Sequence, residues 1–314
     1  MEDRSARTSR ICTLSVFRAF RRHPFPFSGS PHDRSRMSRL TRSMPRFVLL
    51  FCLCAAFGHA ADLKPGVRST LTFQESPPHS DALELKLRLS AAETPPAYDV
   101  KKESFDILLP KNHRASEPHG LFIWISASDK PSIPAEWEAV FAEKKLIFIG
   151  AHKSGNPRSV FDRMRLAIDA NFNVRKIASI DPARVIVSGF SGGARVASML
   201  GVCYADIFPS TICCMGVNFY TNVSTPDGKQ TFRLGYLPHD EFTQIAKTQC
   251  RYVLITGEKD FNLPNTQAVF ENGFKKEGFK AVELINIPGQ GHSPPKAEWL
   301  KKAIEFLDAG TAKP

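Results

Sequence analysis

Three residues, in the chain order serine, acid, histidine, have types and surroundings that could do covalent chemistry. Gly189-Phe190-Ser191-Gly192-Gly193 follows the expected strand Arg184–Ser188 and precedes residues that favour helix. A serine at a sharp strand-to-helix turn is lifted above the edge of a sheet, and flanking glycines are needed because such a turn is crowded. A serine hydroxyl is a weak nucleophile unless a base takes its proton. His292, in Pro288-Gly289-Gln290-Gly291-His292-Ser293, is the candidate base; His239 is the only other histidine after Ser191. The acid that would orient it should follow an intervening strand. Thr256-Gly257-Glu258-Lys259-Asp260 comes just after the apolar run Tyr252–Ile255. Asp260 is the expected acid, with Glu258 and then Asp240 as competitors.

Attack on an acyl carbonyl needs donors for the developing oxyanion. The backbone N–H of Gly192, next to the nucleophile at the start of a helix, is one. The second should come from the loop after the strand Leu121–Ile125, which reads Ser126-Ala127-Ser128-Asp129. Ser126 or Ala127 could supply it, and Ala127 is the choice. His119-Gly120 precedes that strand and would lie at the wrong end of the sheet, as a turn. No cofactor and no metal are expected: the cysteine spacing fits no zinc pattern, and Cys213-Cys214 is a poor chelate because strand neighbours face opposite ways.

These residues need a sheet with loops converging at one end. Continuous apolar runs at Leu121–Ile125, Leu146–Ile149, Val185–Val187, Ile212–Met215, Tyr252–Ile255 and Val282–Ile287 read as buried strands. Helices are expected near Pro134–Glu143, Arg158–Ile177, Gly193–Leu200, Asn265–Lys275 and Pro295–Leu307. The second places Phe161, Met164, Ile168 and Phe172 on one face. Such alternation implies an α/β fold with a mainly parallel central sheet and helices on both faces. Before it, Ala82–Leu89 alternates leucine with polar residues like a half-buried edge strand, and Ser104–Leu109 reads as a second strand. Residues 218–248 show no clear period and read as a long loop or small cap. The expected division is 1–60 as an N-terminal extension with a signal peptide, 61–100 as an arm and edge strand, and 101–310 as the catalytic domain.

The 314 residues suffice for one sizeable core. The net charge of +11 is unevenly spread, since residues 1–60 hold eleven arginines, no lysine and three acids. The rest is close to balanced and shows no basic stripe of the kind that binds nucleic acid. Arg39, Arg42 and Arg46 precede the eleven-residue apolar run Phe47–Phe57, and Gly58-His59-Ala60 follows. That order is the layout of an export signal cleaved near Ala60-Ala61. The run is too short to span a membrane, so the mature chain should carry no stable span. Met37 or Met44 would each leave a signal of ordinary length. Cleavage would leave Cys203, Cys213, Cys214 and Cys250 in an oxidising compartment, where Cys203 and Cys250 could pair.

From residue 104 to about 308 the chain resembles the α/β-hydrolase superfamily. Within it, the chain looks like exported esterases related to polyhydroxybutyrate depolymerases and feruloyl esterases. The matching pieces are Asp181-Pro182-Ala183-Arg184-Val185 through Ser191 to Arg195, Thr256 to Asn262, and Gly289 to His292. The resemblance implies Ser191 as nucleophile, Asp260 as acid and His292 as base. The histidine-glycine oxyanion motif of those relatives is absent after the early strand. The implied activity is hydrolysis of a small-molecule or polymeric ester. A serine peptidase of the same fold and a catalytically silent exported binding protein are the alternatives.

Overall fold

The computed structural model describes residues 63–310. The arginine-rich extension and the apolar run read as an export signal lie outside the described residues. In chain order the elements are β1 Arg68–Leu71, α1 Ala82–Arg88, β2 Phe105–Leu108, β3 His119–Ile125, α2 Trp137–Glu143, β4 Leu146–Ala151 and α3 Val160–Ile177. There follow β5 Ile180–Phe190, α4 Gly192–Cys203, β6 Ser210–Cys214, β7 Val223–Ser224, β8 Thr231–Phe232, α5 Asp240–Gln249 and β9 Arg251–Gly257. The last are α6 Leu263–Ala268, a π-helical turn Val269–Lys275, β10 Val282–Ile287 and α7 Ala297–Asp308.

Eight strands form one sheet in the order β1-β2-β4-β3-β5-β6-β9-β10. β2 runs antiparallel to both β1 and β4, and the remaining pairs are parallel. Alternate residues of each central strand feed opposite layers, as strand geometry requires. Leu121, Ile123, Val185, Val187, Cys213 and Leu254 join the layer under α3 and α4. Phe122, Trp124, Ile186, Ile212, Cys214 and Val253 join the layer with Trp137 and Phe141 of α2 and Leu300 and Ile304 of α7. Parallel strands start at one edge of the sheet and end at the other, so the loops after β3, β5, β6 and β9 converge at one end.

The N-terminal part corrects the sequence reading. Ala82–Leu89 is not a strand but α1. Asp81 caps it by accepting the Leu83 N–H at 2.8 Å, and its residues favour helix. Four leucines at every second position satisfy the four-residue helical spacing as well as the strand period. Leu85 and Leu89, one turn apart, are buried, whereas Leu83 is 70% and Leu87 59% exposed. Arg88 anchors the helix, with its guanidinium over the rings of Tyr204 and Phe242 and paired with Asp206 at 2.6 Å. The true edge strand, β1, falls in the stretch read as an arm.

Residues 218–248 hold more than a loop. The β7–β8 hairpin forms there, and α5 follows, capped by His239. With only Thr243 and Ala246 buried, α5 has too narrow an apolar face to show a period. The expected Cys203–Cys250 bond is not formed: Cys203, Cys213, Cys214 and Cys250 are all free and buried. The Cys250 thiol is turned toward the Ala205 carbonyl at 3.4 Å instead. Burial pushes the Cys214 and Cys250 thiols up to about 12, and Cys203 and Cys213 higher still.

Candidate active site

Ser191 stands between β5 and α4 with φ of +53° and ψ of −117°. A non-glycine residue seldom adopts positive φ, and holding it there costs about 1–3 kcal/mol. The surroundings enforce it: the Ser191 N–H donates to the Cys214 carbonyl at 2.9 Å. Gly193 packs so closely on β3 that an added Cβ would lie 1.9 Å from the Ile125 carbonyl oxygen. Only glycine lets α4 begin this tightly against the end of the sheet, and the tight start presents the Ser191 side chain.

His292 bridges the other two residues. Its Nε2 lies 2.9 Å from Ser191 Oγ, and its Nδ1 lies 2.7 Å from Asp260 Oδ1. A carboxylate accepts, so the proton belongs on Nδ1, and Nε2 is left to accept the serine hydroxyl proton. The ring is also held by Phe190, centroid to centroid 4.9 Å, and by Phe261 at 4.2 Å. Phe261 is 73% exposed, so it covers the histidine from the solvent side.

Asp260 is buried and fully engaged. Besides His292, it accepts the Asn262 N–H on Oδ1 and the Thr256 hydroxyl on Oδ2, both at 3.1 Å. Asn262 is tied in turn to the Met215 carbonyl and to the Arg195 guanidinium. The competing acids have other roles. Glu258 accepts the Gly289 N–H at 2.8 Å and so fixes the start of the histidine loop. Asp240 is exposed as the first residue of α5.

At the expected oxyanion position, Gly192 opens α4 with no intrahelical partner for its N–H, as at any helix start. The Ser126–Ala127 loop lies beside it. Ser126 is buried and its carbonyl accepts from Arg163 at 3.0 Å, while the Ala127 carbonyl accepts the Asn156 N–H at 3.0 Å. His119 and Gly120 sit at the far end of the sheet as expected. They belong to β3 itself rather than to a turn, with the His119 ring against His113 and Nδ1 on the Glu117 carbonyl.

Several neighbours had no signal in the sequence. Asn156 is the clearest: its amide lies over Gly192, with Oδ1 2.0 Å from where a Cβ would be. It sits in Gly155-Asn156-Pro157, just past β4. The position of that loop at the sheet's active end was the one available hint. A cavity of about 250 Å3 is lined by Arg195 and by Asn218, Phe219, Phe232 and Arg233 of the 218–233 insertion, and reaches none of the three site residues. A larger one of about 520 Å3, between Pro77, Pro95, Tyr98 and Arg165, is lined by none of the three site residues.

No family model matches the sequence, and no curated protein matches it. Among solved structures the chain is similar to the S-formylglutathione hydrolase FrmB of Staphylococcus aureus, with a TM-score of 0.50 and 12% identity over 77% of this chain and 98% of that one. It is also similar to Est1E from Butyrivibrio proteoclasticus, with a TM-score of 0.48 and 18% identity over 67% and 95% of the two chains. A feruloyl esterase module from Clostridium thermocellum matches with a TM-score of 0.45 and 14% identity over 66% and 81%. The first likeness, together with the strand order, shows that the chain has the α/β-hydrolase fold.

Proposed function

We propose that the chain is an exported serine hydrolase that cleaves carboxylic esters through an acyl-enzyme on Ser191. The observation that carries this reading is the ring of His292, placed between Ser191 Oγ at 2.9 Å and Asp260 Oδ1 at 2.7 Å. Ser191 Oγ attacks the ester carbonyl carbon, and its proton passes to His292 Nε2. Asp260 supports the imidazolium that results. Electrons of the C=O bond move onto oxygen, which the N–H groups of Gly192 and Ala127 face. Collapse breaks the bond to the alkoxy oxygen, His292 returns the proton to it, and the alcohol leaves. Water then attacks the acyl carbon as it loses a proton to His292, the bond from that carbon to Ser191 Oγ breaks to release the acid, and His292 returns the proton to Ser191 Oγ.

The substrate is expected to be a small-molecule or polymeric ester, with no nucleic acid and no metal or cofactor involved. Screening the purified protein against short-chain aryl esters, feruloyl esters and aminoacyl arylamides tests the reading. Ester hydrolysis is the expected result. Turnover of the arylamides alone would make the chain a peptidase of this fold, and no turnover of any would leave a binding protein.

Export is the second part of the reading, and it rests on the arginine flank, the apolar run and Gly58-His59-Ala60. Among the described residues no helix is long and apolar enough to cross a membrane.

A further inference from the structure

We propose that Arg163 is a positioning residue for the oxyanion site: it fixes the Ser126–Ala127 peptide so that the Ala127 N–H faces the reacting carbonyl oxygen. This rests on the serine-hydrolase reading above.

Arg163 lies in the first turn of α3 and is 5% exposed. Its Nη2 donates to the Ser126 carbonyl at 3.0 Å. No acid pairs with it among the described residues. Neighbouring arginines differ: Arg158, just before α3, is paired with Glu103, and Arg165 on α3 lies 3.5 Å from Asp162. Arg163 Nε has no partner at all. Burial lowers its pKa to about 10, so the guanidinium keeps its charge at neutral pH. A buried cation without a counter-charge is unfavourable in a resting fold. It becomes favourable when negative charge develops nearby, as on the oxygen of a tetrahedral intermediate.

The direction follows from peptide geometry. Among the described residues no peptide bond is cis. In a planar trans unit the N–H points opposite to the C=O. The Ser126 carbonyl is drawn inward, toward α3, so the Ala127 N–H points away from α3. No acceptor within the described residues takes that N–H. The following carbonyl, of Ala127, is held by the Asn156 N–H at 3.0 Å, so the loop is pinned on both sides of the donor. The loop also abuts the nucleophile turn, since a Cβ on Gly193 would meet Ile125 O at 1.9 Å and Ser126 C at 3.2 Å. A guanidinium on the carbonyl polarises the peptide and strengthens its N–H as a donor.

The test compares kcat and KM for an aryl ester in the wild type, Arg163→Met and Arg163→Lys. Folding is checked by circular dichroism and Ser191 reactivity by fluorophosphonate labelling. Arg163→Met removes the charge and the donor but keeps the stem. Its kcat is expected to fall about 100-fold, the scale of a lost oxyanion donor, with KM within about three-fold. Arg163→Lys keeps the charge but loses the planar fork, and should lose about ten-fold. If Arg163→Met does not fold, Arg163→Lys carries the test alone. A kcat within two-fold of wild type in the folded variants overturns the proposal, as does a loss confined to KM. If the wild type hydrolyses no ester and Ser191 takes no label, the serine-hydrolase reading has failed instead.

Discussion

Asp260 Oδ1 lies 2.7 Å from Nδ1 of His292, and the same oxygen accepts the Asn262 N–H at 3.1 Å. The carboxylate is thus aimed before any substrate arrives. Asp260→Asn can present an amide N–H to Nδ1 and favour the wrong tautomer, so kcat should fall on the order of 10³–10⁴-fold. Glu258→Gln only alters the hold on Gly289 and should stay within about ten-fold. Steady-state kinetics on both variants separates the two acids, and equal losses would contradict the assignment.

The helix α1 makes a contrast that a strand could not. Leu85→Ala should destabilise by about 2–5 kcal/mol, the usual cost of emptying a buried leucine site. Leu83→Ala, at a position 70% exposed, should stay within about 0.5 kcal/mol. Urea denaturation measures both. Similar losses at the two positions would restore the edge-strand reading, in which they share a face.

Legibility in the sequence followed the strength of local constraint. The central strands were readable because each is an unbroken apolar run, and Ser191 because a glycine-flanked serine between strand and helix has few other uses. His292 and Asp260 were placed by chain order and by the ends of strands. Four alternating leucines misled, because the two- and four-residue spacings coincide and only the Asp81 cap and the burial of Leu85 and Leu89 decide between them. α5 was hidden by its narrow buried face. Asn156 and Arg163 were invisible because their partners, Gly192 and Ser126, are remote in sequence and meet them only through the fold; Asn262 lies two residues from Asp260, but its ties to Arg195 and Met215 are equally remote.

Two adjacent glycines should respond differently to alanine. Gly193→Ala drives a Cβ against backbone, 1.9 Å from Ile125 O, and should destabilise by about 1–3 kcal/mol or more. Gly192→Ala meets only the end of the exposed Asn156 side chain, which can turn away, so stability should stay within about 0.5 kcal/mol. Thermal unfolding of both variants checks the order, and a reversed order would contradict the geometry of the nucleophile turn.

The four buried thiols set an alkaline limit. Burial holds Cys214 and Cys250 up near 12, whereas unfolded thiols ionise near 8.5. Above that value the unfolded chain loses protons that the folded chain retains, so this contribution to stability is complete below about pH 8.5 and is lost as the pH rises toward 12. Denaturant midpoints between pH 8 and 11 should fall steadily. In the mature chain, a thiol reagent should find none of the four in the native state and all four after denaturation. Two missing thiols would mean that the Cys203–Cys250 bond forms.

The export reading is tested by the mass of protein recovered outside the cytoplasm. Its first residue should be Ala61 or lie within a few positions of it. Recovery of a folded cytoplasmic protein with residues 1–60 intact would contradict export and leave the site chemistry untouched.

The central claim is that Ser191 Oγ, with its proton drawn to His292, is the attacking atom. The most direct measurement is kcat of folded Ser191→Ala on an ester that the wild type hydrolyses. The account predicts a loss of about 10⁴–10⁶-fold, with His292→Ala alone and the double variant little different because the residues act as one unit. A folded Ser191→Ala protein that keeps most of the wild-type rate would contradict it.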